Sequence, residues 1–224
     1  MRFNLKQFLE EESQKEYFIN LQNALNNENK EIVPSKNNWY KAFDLDWYNI
    51  QIIILGQDPY YTPNTADGLA FSTNDKKIPS SLKNIFKEIK ATYPHSVFET
   101  NNLDYWKQQG ILLSNTKLTT VLNQALAHEN IGWEIFVTNA IKKILELNEN
   151  VIFLCFGQKA LKFIENLNTK QHFVLHTSHP SGLSCYRGFS GSNIFLEANN
   201  ILKSLNKKTI DWSTKIVKYK EIYE

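Results

Sequence analysis

The chain has 224 residues, 42% hydrophobic and 21% charged, with only 8 Gly and 6 Pro. That composition excludes collagen-like and long disordered tracts, and the length suits one domain with one sizeable core. Its 25 Lys and Arg against 23 Asp and Glu leave a formal charge of +2, and its two cysteines, Cys155 and Cys185, exclude a disulfide framework or a cysteine-built metal site. A near-neutral charge neither demands nor excludes nucleic acid, because a local basic or amide-lined groove is enough to bind phosphates.

In chain order, the N-terminal stretch MRFNLKQFLEEESQKEYF turns acidic by Glu10 and has no continuous apolar segment, so no secretory signal is expected. The apolar runs are all far shorter than the roughly 18–20 residues that cross a bilayer. A cytoplasmic protein in a reducing compartment is therefore expected, or a nuclear one in a eukaryotic source. The first part of the chain reads as helical and polar, with Phe8, Tyr17, Phe18 and Leu21 along a stripe. The runs QIIIL at 51–55, ILLS at 111–114, VIFLC at 151–155 and HFVL at 172–175 then suit strands covered on both faces. Between and after them, residues 81–93, 133–147, 159–167 and 192–205 carry helical patterns. Strands alternating with helices predict an α/β fold: a single three-layer α/β/α domain over 1–224, around a central, mostly parallel four-stranded sheet.

Each apolar run is followed at once by a conspicuous polar segment: GQDPYY, Asn115-Thr116, Phe156-Gly157-Gln158 and HTSHPSG. In open parallel sheets ligands bind beyond the carboxyl ends of the strands, so these loops are expected to meet in one cleft. Each candidate has a plain reading beside the chemical one. Asp58 is either an Asx-turn acid before Pro59 or a base and charge stabiliser. His179 is either a loop residue or an acid or electrophile, and with His176 it makes an HxxH too sparse for a convincing zinc site. Asn115 is either a cap or a side-chain amide that donates and accepts at once, as reading a base edge requires. Phe71 and Tyr60 are either core or pocket. Ser81, ahead of LKNIF, suits both a helix cap and a phosphate contact.

Together these residues resemble the family 1 uracil-DNA glycosylases over most of the chain. The resemblance rests on GQDPY at 56–60 with GLAFS at 68–72, LLSNTKLT at 112–119, GWEIF at 132–136, HPSGLSCYRGFSGS at 179–192 and IDW at 210–212. It implies an enzyme of base excision repair that flips uracil out of the DNA stack and hydrolyses its N-glycosidic bond. In that reading Asp58 stabilises the oxocarbenium-like sugar and handles the attacking water, and His179 hydrogen-bonds uracil O2. Gln57, Tyr60, Phe71 and Asn115 bind uracil: Phe71 stacks, Asn115 reads O4 and N3–H, and Tyr60 excludes the thymine methyl. Ser81, Ser181 and Ser184 grip phosphates, Leu183 wedges into the minor groove, and Arg187 adds a DNA contact.

No cofactor and no metal are implied. The partners are uracil-containing single- and double-stranded DNA, with protein inhibitors that mimic DNA. No membrane partner is expected, and a monomer suffices because one chain builds the cleft. Several positions depart from the family pattern. Tyr61 and Asp67 stand where His is usual, Gly182 and Ser80 where Pro is usual, and Phe156-Gly157-Gln158 for Trp-Gly-Ser. These departures leave an alternative: a catalytically weak DNA-binding or scaffold protein of the same fold.

Overall fold

The structure, a computed structural model, describes residues 2–217. Helices α1 (Leu5–Glu12) and α2 (Glu16–Asn26) open the chain. The first starts on a capping box, in which Asn4 accepts from the Gln7 N–H and the Gln7 side chain accepts from the Asn4 N–H. There follow β1 (Ile32–Val33), β2 (Ile52–Gly56), α3 (Ser80–Thr92), α4 (Asp104–Lys107), β3 (Ile111–Asn115) and β4 (Thr120–Val121). The chain continues through α5 (Trp133–Leu147), β5 (Ile152–Phe156), α6 (Gln158–Ile164), β6 (Phe173–Thr177) and α7 (Ile194–Ser204).

The main sheet has the order β3-β2-β5-β6 with every pairing parallel, and helices flank it, as the alternating pattern predicts. Each strand runs one or two residues past its apolar run, because backbone pairing continues through polar side chains. Gly56 thus pairs with Asn115, and Phe156 with Thr177, at the carboxyl edge. The expectation of full coverage fails for β6. It is an edge strand whose burial alternates, with Val174 and His176 exposed, so one of its faces is solvated. The antiparallel pair β1-β4 and the single turn α4 were not expected, since pieces this short carry no readable period.

Aromatic contacts tie the helices to the sheet. Phe136 on α5 meets Phe8 of α1 and Phe18 of α2 with ring centroids 5.3 and 5.9 Å apart. Phe195 on α7 meets Trp212 at 4.9 Å and Phe156, at the end of β5, at 6.1 Å. Each such side chain, fully buried, contributes about 1.5–3 kcal/mol relative to exposure. One connected core runs from Phe8 to Trp212, so the strand ends emerge from a rigid base.

Candidate active site and nucleic-acid interface

Because the four main strands are parallel, their carboxyl ends share one edge, and the polar loops meet there. The Thr116 and Lys117 N–H groups donate to the Gly56 and Gln57 carbonyls at 3.0 and 3.2 Å, joining the first two loops. Gly157 donates to the Thr177 carbonyl at 2.8 Å, joining the last two. Lys159 Nζ reaches across to Gln57 Oε1 at 3.0 Å.

Asp58 sits two residues beyond β2, half-buried. Its Oδ2 accepts from the Leu126 N–H at 2.7 Å, a partner 68 positions away, which overturns the Asx-turn reading. Its Oδ1 is buried and has no hydrogen-bond partner among the described residues. Burial pushes the carboxyl up to about 6, against the Leu126 N–H and the nearby Lys117 charge, which pull it down. Lys117 is itself buried and paired with Glu134 at 2.6 Å. Asn115 lies within β3 rather than capping a helix, and no hydrogen bond engages its carboxamide among the described residues. A side chain at Gly56 would run into that carboxamide, so glycine there is what leaves room for Asn115.

The stacking and electrophile candidates meet directly. The Phe71 ring lies 5.9 Å from His179 and 5.6 Å from Phe156, centroid to centroid. Phe71 has a left-handed backbone, φ +64°, uncommon for a bulky L residue. It is half-buried and packs against the core with part of its surface left open, so both the core and the pocket reading stand. Tyr60 donates its hydroxyl to the Phe71 carbonyl at 3.3 Å, and the Ala70 N–H bonds Leu113 O of β3 at 3.0 Å. His179 Nδ1 accepts from the Ser181 N–H at 3.1 Å, which assigns the ring proton to Nε2. Burial holds His179 below its usual range, so the ring is neutral at pH 7. Gly157, at φ +91°, packs against it; a Cβ there would lie 3.1 Å from His179 Cβ.

Beyond His179 the loop projects outward. Leu183 is 85% exposed, a large apolar side chain held in solvent, and Tyr186 and Arg187 lie near it in sequence, with the guanidinium 5.5 Å from the tyrosine ring centroid. Ser184 Oγ donates to the His179 carbonyl at 2.8 Å and lies 2.7 Å from Ser181 Oγ, so these hydroxyls also organise the loop. Ser81 is not a cap. Pro79 occupies that position, and Ser80 and Ser81 fill the first turn of α3 with no side-chain cap bond. His176 stays exposed on β6, apart from any ligand set, since no group of three or more His, Cys, Asp or Glu is placed to hold a metal among the described residues.

Several contributors carry no local sequence signal. Leu126 acts through its backbone N–H, Lys117 through its buried charge, and two α3 residues through the loop base. Asn84 donates to the Pro180 carbonyl at 2.8 Å, while buried Glu88 accepts from the Gly191 and Asn193 N–H groups at 2.7 and 2.9 Å. Of the departures, Tyr61 is 44% exposed beside the Asp58 loop, and Gly182 has open space around it. Asp67 is buried under the Phe71 turn, so it has no direct part in gripping DNA.

The family model described as "Uracil DNA glycosylase superfamily" matches residues 44–203, which hold every candidate residue named above. The chain belongs to this superfamily. A uracil-DNA glycosylase of Mycoplasmopsis pulmonis is 47% identical over 93% of this chain and 96% of its own length. One of Aliarcobacter butzleri is 44% identical over 92% and 99%. A mimivirus UNG solved in complex with UGI superposes with a TM-score of 0.87 at 28% identity, covering 95% of this chain and 89% of its own. Relatives named for uracil-DNA glycosylase activity match nearly the whole chain, so the binding-only alternative is not favoured.

Proposed function

We propose that the whole chain acts as one domain that excises uracil from DNA, with its chemistry at the strand-end cluster. The observation that carries this reading is the state of Asp58: one oxygen is fixed by Leu126, and the other is buried with no hydrogen-bond partner among the described residues. That second oxygen is suited to hold and deprotonate the attacking water while the carboxylate stabilises the developing positive sugar. The neutral His179 donates Nε2–H to uracil O2 as negative charge builds on the leaving base. Phe71 stacks on the flipped uracil, worth about 1–3 kcal/mol. Asn115, whose carboxamide no hydrogen bond engages among the described residues, pairs with O4 and N3–H, and cytosine presents the reversed pattern there. Tyr60, tied to Phe71, excludes the thymine methyl, and Gln57 completes the uracil-binding set.

On the DNA side, Leu183 fills the gap left by the flipped nucleotide, offsetting unstacking of a few kcal/mol. Ser81, in the first turn of α3 where helix N–H groups favour an anion, joins Ser181, Ser184 and Arg187 on the flanking phosphates. A protein inhibitor that imitates DNA would occupy the same face, in line with the UGI-bound mimivirus UNG.

The test is incubation with single- and double-stranded oligonucleotides bearing one uracil, followed by alkali. Strand scission at the uracil position is expected. Asp58→Asn should keep affinity for abasic DNA while turnover falls by roughly 10²–10⁴. DNA binding without scission by the unmodified protein would overturn the assignment, and near-normal turnover of Asp58→Asn would remove that residue from the mechanism.

A further inference from the structure

Asp67 is 2% exposed and lies beneath the turn that carries Phe71. Its Oδ1 accepts from the Leu69 N–H at 3.1 Å; its Oδ2 accepts from Ser72 Oγ at 2.5 Å and from Asn102 Nδ2 at 2.9 Å. The first two donors bracket Phe71 on either side. Ser72 Oγ in turn accepts from the Leu103 N–H at 2.9 Å, which fixes its hydrogen toward Asp67. Asn102 also donates to Asn74 Oδ1 at 3.0 Å, so the 67–74 segment is tied to the 101–104 segment. Burial pushes the Asp67 carboxyl up, while the Lys41 charge, Ser72 and the Leu69 N–H act against that shift.

We propose that Asp67 is a positioning residue for the base pocket: its carboxylate ties both ends of the Leu69–Ser72 turn and holds Phe71 in the left-handed backbone that presents its ring to uracil. Phe71 at φ +64° is a conformation an L aromatic leaves unless its surroundings over-determine it. The three donors converging on Asp67 supply that determination. Only a carboxylate has lone pairs for all three: a neutral His ring has one acceptor nitrogen, and an Asn would set its own NH2 against a donor. The arrangement is therefore specific to an acid at position 67, in a chain whose family resemblance predicts His there. This inference rests on the reading of Phe71 as the uracil-stacking ring.

The experiment is a double-mutant cycle read through competitive inhibition of turnover by free uracil, with abasic-duplex affinity and thermal unfolding measured alongside. Asp67→Asn should weaken uracil inhibition about tenfold, the effect expected for a lost hydrogen bond to a charged group, and leave abasic-duplex affinity within about twofold. In the Phe71→Ala background the same change should add nothing, because the ring it positions is gone. Unaltered uracil inhibition in a folded Asp67→Asn, or an equal loss in both backgrounds, would overturn the proposal. If Asp67→Asn does not fold, Ser72→Ala, which deletes one of the three donors, goes through the same cycle with a smaller expected loss and the same overturning results. Phe71→Ala alone leaving uracil inhibition untouched would instead sink the stacking assignment.

Discussion

Asp58 shows what the site costs the fold. Its pKa rises from 3.8 to about 6 on folding, chiefly through burial, so between those values the native state binds the proton more tightly than the unfolded chain does. Stability from this group is therefore greatest below pH 3.8 and is lost as pH rises through about 6, leaving the ionised form, the one proposed to act in catalysis, as a net burden at neutral pH. Asp58→Asn, which keeps an acceptor for the Leu126 N–H, is expected to raise the melting temperature at pH 7 more than at pH 4, opposite in sign to its effect on turnover. Equal shifts at both pH values would contradict this. The same ionisation predicts that kcat/KM of the unmodified enzyme falls as pH drops through about 6, and a flat profile across that value would show that Asp58 does not work as a carboxylate. His179 contributes no requirement for acid, since burial keeps it neutral and its Nδ1 is occupied by the Ser181 N–H.

Helix α3 and the loop after His179 work as a clamp with a free tip. Asn84 holds the loop near Pro180, and Glu88 holds it at Gly191 and Asn193, just before α7, while Leu183 stands in solvent between them. A rigid base with an exposed apolar tip suits insertion between bases, because little ordering remains to be done on binding. Glu88→Ala removes the carboxylate that the Gly191 and Asn193 N–H groups donate to, and water can reach those exposed residues, so it should cost about 0.5–1.5 kcal/mol in denaturant unfolding and weaken duplex binding as the clamp loosens. Undiminished stability would show that water or a neighbour replaces the carboxylate. Leu183→Ala should behave oppositely: stability within about 0.5 kcal/mol of the parent, with activity lost on duplex more than on single-stranded substrate. Equal losses on both substrates would argue against a wedge.

For the molecule as a whole, a formal charge of +2 and the serine hydroxyls proposed to grip phosphates predict weak dependence of DNA affinity on salt. Few counterions are released by neutral contacts, so log K against log salt should have a slope of about −1 to −3, and one steeper than about −5 would reveal a basic surface in contact with DNA. No helix among the described residues is long and apolar enough to cross a membrane. Local sequence was enough for the main strands and helices, since apolar runs and helical periods are short-range signals. It was also enough to bring the polar candidate residues to one sheet edge, because segments that follow parallel strands can only gather there. The motifs GQDPY, GLAFS and HPSGLS then pointed to the family that the relatives bear out. What only the tertiary structure decided lies in contacts between residues far apart along the chain. Leu126 fixes Asp58, Gly56 yields to Asn115, Asp67 braces the turn of Phe71 together with Asn102, and Glu88 anchors the far end of the loop that carries Leu183. Such pairings follow from how whole elements pack, and a backbone N–H or a vacated Cβ leaves no mark in residue type or period, so no local reading of the chain could have reached them.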